Sequence, residues 1–209
     1  MELDKVIKER RSIRKFKDLD VPWQFIAECL DAAVYAPSSG NVQNFRFVVV
    51  KNKDKRHKLI NDASPENKWA LDAPVLIVIC AELSKIRRMF NVRGEALYSV
   101  QNCACAANNF MLKAYELGLG SCWIGDFDEK KINEILNVSA DARPQAIIAL
   151  GYSKENGEVK RDPLDNFVYF ESYGNRTDIS RTFTTLSNLL KSGLNKTFKA
   201  ASRIKGGKY

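Results

Sequence analysis

Val75-Leu76-Ile77-Val78-Ile79-Cys80 is an unbroken apolar run, rich in β-branched residues and introduced by Pro74. A strand with one wet face alternates apolar and polar residues, whereas one without alternation is covered on both sides. The run therefore predicts a central strand with other layers above and below it. Phe45-Arg46-Phe47-Val48-Val49-Val50 reads as a second strand, ended by Lys51-Asn52-Lys53-Asp54. Residues 145–152 contain Ala146-Ile147-Ile148-Ala149-Leu150-Gly151, another buried strand, and Ser121-Cys122-Trp123-Ile124-Gly125 is a short extended piece.

Helical patterns fill the spaces between these strands. Residues 2–10 carry Leu3, Val6 and Ile7 at helical spacing, and Pro22 opens a helix over residues 23–35 with Phe25, Ile26, Cys29, Leu30 and Ala33 on one face. The longest signal covers residues 95–117. One stripe is Leu97, Val100, Ala104, Ala107, Met111 and Ala114, and a second is Cys103, Ala106, Phe110 and Leu117. A helix apolar nearly all round is buried, as a core helix or as the spine of a dimer. Gly118 closes it, and Asp128 caps a helix running to Leu136. Strands mixed with helices, without regular βαβ alternation, predict an α+β sandwich around a mixed sheet. From Arg176 the chain is basic, and Leu190, Leu194, Phe198 and Ala201 oppose Lys191, Lys196, Lys199 and Arg203 on a predicted helix.

Composition narrows the function. The 209 residues carry 33 basic and 25 acidic side chains, a net +8 that favours anionic ligands such as phosphates, nucleic acid or acidic membrane. The five cysteines sit in apolar runs without a Cys-x-x-Cys pair, which reads as reduced thiols in the core and not as a metal or cluster site. The charged N-terminus predicts no signal peptide and a cytoplasmic protein, and no apolar run reaches the length of a membrane span. His57, the only histidine, lies in Lys55-Arg56-His57-Lys58. Unless that one residue carries it, Ser-His-Asp or Cys-His chemistry is absent, so hard chemistry would belong to a cofactor. Gly118-Leu119-Gly120 runs on to Trp123 where a dinucleotide fingerprint needs its third glycine, and there is no Walker A loop.

Arg10-Arg11-Ser12-Ile13-Arg14-Lys15-Phe16 is the densest cluster of phosphate-binding side chains. Arginine offers a planar fork to phosphate oxygens and serine adds a hydroxyl donor. Read alone, the stretch is first of all a solvated basic helix end, since charge runs usually lie on the surface. Three later pieces decide the matter. Ala36-Pro37-Ser38-Ser39-Gly40-Asn41-Val42-Gln43, Gly118-Leu119-Gly120-Ser121-Cys122-Trp123-Ile124-Gly125 and Lys160-Arg161-Asp162-Pro163-Leu164 follow it in order. Together the four resemble the signatures of the FMN-dependent nitroreductase family, over roughly residues 2–170.

The resemblance implies a three-layer α+β sandwich with a mostly antiparallel sheet, in an intertwined homodimer. Residues 1–175 would be the FMN-binding domain, and 176–209 a basic extension wrapped around the partner subunit. Arg10 and Ser12 would bind the FMN phosphate, with Arg11 partly through its backbone, and Lys160 and Arg161 would complete the clamp. Arg14 would reach the pyrimidine end of the flavin, where a cation stabilises the charge of the reduced ring. Cys122 and Trp123 belong to the segment lining the ring, Ile124 would cover it, and the Gly125 N–H would donate to N5. Pro37, Ser38, Ser39 and Asn41 would complete the partner's site. Many relatives have Gln-Pro-Trp where this chain has Gln43-Asn44-Phe45. Asn67 and Lys68 are the candidates for the flavin's O2 and N3 edge.

The expected activity is two-electron, ping-pong reduction of nitroaromatics, quinones or similar acceptors by NADH or NADPH, with no side chain required as acid or base and no metal. Two alternatives remain at this point: a flavin-binding or regulatory protein without turnover, and a nucleic-acid or anionic-surface binder acting through the basic tail.

Overall fold

Each residue from Val75 to Ala81 is buried, so the unbroken apolar run is the inner strand that its lack of alternation predicts, β2 (Val75–Glu82) in the sheet below. The computed structural model describes residues 2–155 and 161–176. They fall in two compact units, Met1–Glu158 and Val159–Tyr209.

In the first unit, β1 (Phe45–Val50) flanks β2 on one side and β4 (Ala142–Gly151) on the other, and β3 (Gly120–Ile124) lies beyond β4. All three pairings are antiparallel, with Phe45 opposite Ala81, Ile77 opposite Ile148 and Cys122 opposite Ala149. β4 starts earlier than the apolar pattern suggests because pairing with β2 extends through Ala142. Pro144 is tolerated there since it faces Cys80 at a bulge in the register and lies outside the β3 pairing.

The helices are α1 (Leu3–Glu9), α2 (Trp23–Val34), α3 (Lys53–Lys58), α4 (Leu83–Arg93), α5 (Ser99–Glu116) and α6 (Glu129–Leu136). The two faces of β2 enter different cores. Val75, Ile77 and Ile79 pack with Ile26, Cys29 and Ala33 of α2 and Cys103, Ala106 and Phe110 of α5. Leu76, Val78 and Cys80 pack with Leu59, Ile60 and Ala63 after α3 and Ile132 of α6. Helices therefore cover both faces, giving the three-layer α+β sandwich.

The long helical signal resolves into two pieces. A π turn, Gly94–Tyr98, precedes α5. The extra residue in that turn shifts the helical phase, so the core face of α5 draws on both stripes: Cys103, Ala106 and Phe110 with Ala107, Met111 and Ala114. Leu97 and Val100 stay 37% and 40% exposed. Gly118, at φ 79°, ends the helix with Leu119 N–H on Ala114 O (2.9 Å) and its own N–H on Tyr115 O (3.0 Å), a Schellman closure. The Asp128 carboxylate caps α6, accepting from the N–H groups of Lys130 (2.9 Å) and Lys131 (3.2 Å).

Of the second unit, the described residues form a short turn, Leu164–Asn166, and a cluster in which Arg176 stacks over Tyr169. Lys160 and nearly all of the basic extension, with its predicted helix, lie outside the described residues. Among the described residues, no helix is long and apolar enough to cross a membrane.

Candidate functional site

After α1 the chain runs beside the sheet on two apolar anchors, Ile13 and Phe16, both buried. Ser12 forms a parallel bridge with Ser121, and Ile13 N–H donates to Ser121 O at 3.0 Å. Phe16 bridges to Ser153, and Lys17 N–H donates to Tyr152 O at 2.8 Å. Gly120 permits this approach: a Cβ there would lie 2.9 Å from Ile13 Cγ1. With the anchors turned inward, Ser12, Arg14 and Lys15 are left on the exposed side.

Because the bridge is parallel, Arg14 lies farther along β3, toward Trp123 and Gly125. Burial pushes the Cys122 thiol pKa up, and Arg14, Ser12 and Arg10 partly offset that rise. These four predicted residues therefore share one neighbourhood. Arg14 N–H donates to the Glu155 carboxylate at 2.8 Å, and its guanidinium lies 5.7 Å from the centre of the Trp69 ring. Trp69 is itself fixed. Its indole N–H donates to Asn67 Oδ1 (3.2 Å), and Asn67 Nδ2 donates to Ser64 Oγ (3.0 Å). The Asn67 amide is thus engaged within its own loop, while Lys68 is exposed.

Arg11 folds back on α1, with Nη1 donating to Lys8 O (2.5 Å) and Arg10 O (2.9 Å). Its side chain finishes the helix, and its Nε is buried without a hydrogen-bond partner among the described residues. Arg10, Arg11, Ser121, Tyr115, Ser153 and Glu155 line a cleft of about 400 Å³ at this end of β3. Along the strand, Trp123 is 37% exposed and Ile124 only 2%. Strand alternation turns Ile124 into the core with Ile132 and Ile147, so its main chain, and not its side chain, is available beside Gly125.

Pro37, Ser38, Ser39 and Asn41 do not line that cleft. They form a separate turn in which Gly40, Asn41 and Gln43 take φ of 56°, 53° and 47°. Ser38 Oγ accepts from Gln43 N–H at 3.0 Å. Asn102 of α5, only 3% exposed, accepts at Oδ1 from Ser39 N–H (3.0 Å) and donates from Nδ2 to Asn44 Oδ1 (2.8 Å). Asn44 in turn donates to Glu82 O at 3.2 Å and accepts from Glu82 N–H at 2.7 Å. The Asn44 main-chain carbonyl thus extends the β1 pairing by one bond, and its side chain adds the bonds to Glu82 O and Asn102 that proline could not make. Sequence reading missed both asparagines; the one available signal was an amide within the apolar stripe of α5. Arg161 is exposed in the second unit.

Cations, a hydroxyl and strand amides converge at one end of β3, with Arg14 and a half-open Trp123 farther along. That donor set suits a flat ligand with an anionic end. Among the described residues, no group of three or more side chains could hold a metal ion.

The family model described as the Nitroreductase family matches residues 7–68 and 61–152. An FMN-dependent nitroreductase of Clostridium difficile R20291 superposes with a TM-score of 0.70 at 31% identity, covering 81% of this chain and 99% of its own. An NADH dehydrogenase of Thermus thermophilus is 29% identical over 191 residues, 77% of this chain and 91% of its own length. The FMN reductase (NAD(P)H) of Bacillus subtilis is 22% identical over 209 residues, 93% of this chain and 84% of its own length.

Proposed function

The chain belongs to the nitroreductase family, and from that premise we propose the following reading: an FMN-dependent NAD(P)H oxidoreductase that reduces nitroaromatic, quinone or similar electron-poor acceptors by ping-pong transfer. Family membership makes it an NAD(P)H-dependent flavin oxidoreductase; the acceptors are the inferred part. The observation that carries the site is the convergence of Arg10, Ser12 and Arg14 on Cys122 and β3, beside a cleft that Arg10 and Arg11 line together with Glu9 and Glu155. The chemistry FMN supplies when bound is reversible two-electron storage, filled from NAD(P)H and emptied into the acceptor.

The chain's own residues bind and tune. Arg10 and Ser12 hold the phosphate, with the Arg11 backbone, Lys160 and Arg161 completing the clamp. Arg14 sits toward the pyrimidine end as a fixed cation, which favours the negative charge of a reduced ring. The Gly125 N–H serves the N5 edge, with Cys122, Trp123 and the main chain of Ile124 along the ring. Pro37, Ser38, Ser39 and Asn41 complete the partner's site in a homodimer built on α5. The outer edge of β1, unpaired among the described residues, supports this reading, since an exposed strand edge invites a partner segment. Residues 1–175 act as the flavin domain, and 176–209 embrace the partner.

Purified protein should be yellow and release FMN, not FAD, on denaturation. NADH or NADPH oxidation with menadione or a nitrofuran should give parallel double-reciprocal lines. Colourless protein that cannot be reconstituted, or flavin that is never reduced, would overturn the reading.

A further inference from the structure

α4 does not run smoothly into α5. At Asn91 the backbone takes φ 52° and ψ −144°, a region that glycine alone enters readily. The bend is locked from within. Arg87 holds Glu95 by two hydrogen bonds, at 2.6 and 2.7 Å, and Gly94 lies where a Cβ would come 2.6 Å from Ile86 O. Strain held in place by such ties marks a segment whose shape is used.

The bend displays an aromatic pair and a cation. Phe90 and Tyr98 meet edge to face at 5.3 Å. The Arg93 guanidinium lies 5.6 Å from the Tyr98 ring centre, and its Nε donates to Tyr98 Oη at 3.1 Å. Arg93 has no carboxylate partner among the described residues, unlike Arg87 with Glu95 or Arg143 with Glu129. Its terminal nitrogens are held in a fixed place with their anion-binding capacity unused. On its other side the bend touches the second signature. A Cβ on Gly40 would come 2.9 Å from Phe90 Cζ and 3.1 Å from Met89 Cε. The bend and the Ser39–Asn41 turn are therefore one surface.

We propose that this bend walls the acceptor side of the flavin site, and that Arg93 selects aromatic acceptors carrying a carboxylate or similar anionic group. The inference rests on the proposed function, through the assignment of the Ser39–Asn41 turn to the partner's flavin. A flat ring meets the edges of Phe90 and Tyr98, and the guanidinium fork receives the carboxylate. For a nitrobenzoate, one turnover consumes NAD(P)H and a proton and releases the nitroso acid, water and NAD(P)⁺; the carboxylate is unchanged.

The test compares 4-nitrobenzoate with its neutral isostere 4-nitrobenzamide, on the wild-type holoenzyme and on Arg93→Gln and Arg93→Lys. Arg93→Gln should lower kcat/KM for the acid by roughly tenfold or more, mainly through KM, and leave the amide within about twofold; Arg93→Lys should recover part of the loss. Equal losses on both substrates, or no loss, would overturn the assignment. A loss confined to NADPH would give Arg93 to the nucleotide phosphate, and the acceptor assignment would fall. Titrating oxidised holoenzyme with benzoate and benzamide, followed by flavin absorbance, keeps the question separate from turnover. Wild type should bind benzoate more tightly and Arg93→Gln should erase the difference. An enzyme that turns over no acceptor yet shows this binding difference defeats the proposed function and spares Arg93; active enzyme blind to benzoate does the reverse. Protein without flavin defeats both.

Discussion

Asn102 lies on the buried face of α5 beside Cys103, Ala106, Ala107 and Phe110, and its amide is engaged on both sides by Ser39 and Asn44. Leucine there would leave the buried Asn44 side-chain carbonyl unsatisfied, at about 1–3 kcal/mol, and take from the half-buried Ser39 N–H its partner. Asn102→Leu should therefore unfold at clearly lower denaturant and, since Ser39 belongs to the turn assigned to the partner's flavin, lose FMN more readily on gel filtration. Wild-type stability in a urea melt would show that the network is dispensable. Residues of this kind set the limit of what a sequence yields. Arg10, Ser12 and Arg14 could be picked out because their side chains are adjacent and chemically alike. Asn44 and Asn102 gain meaning only where β1 and α5 meet, and nothing near either residue announces the other.

At the scale of elements, the two glycines around the α5–β3 junction do different jobs. Gly118 needs its positive φ but has open space about it, whereas Gly120 needs the space that Ile13 fills. Gly118→Ala should cost about 1 kcal/mol of stability and leave cofactor binding intact. Gly120→Val should push the Arg10, Ser12 and Arg14 stretch off β3 and weaken FMN retention at least tenfold, with the far-UV spectrum preserved. Parallel melting curves and ultrafiltration of released FMN distinguish the two; equal effects would mean that the stretch is not held through Gly120. The strands were legible because alternation, or its absence, is a local property. The bend at Asn91 was not, since Phe90-Asn91-Val92 carries no breaker. Tertiary ties, Arg87 to Glu95 and Ile86 against Gly94, impose the strained backbone.

Across the whole molecule, the cysteines act as core residues. Burial pushes the thiols of Cys29 and Cys103 up to about 12 and that of Cys80 to about 11. The folded chain keeps these protons where the unfolded chain, with thiols near the ordinary value of 9.0, releases them. Stability should consequently fall as pH rises from about 9 toward 12, by at most ~1.4 kcal/mol per pH unit for each thiol. Urea melts between pH 8 and 10.5 should show the decline, and Cys103→Ala should flatten it; an identical slope would remove Cys103 from the account. The α+β class could be read from the chain, but the order β1-β2-β4-β3 could not, because pairing partners are chosen across long stretches of intervening sequence. The bridges from Ser12 to Ser121 and from Phe16 to Ser153 join stretches farther apart in sequence than any strand pairing of the sheet. The basic stretch is synthesised long before the strand that fixes it. Closing so long a loop is slow and follows the nearer contacts. Cofactor capture is thus a late event in the life of the nascent chain, deferred until β3 and β4 have formed, and faults in that far strand pair should surface as flavin-free protein before they surface as unfolded protein.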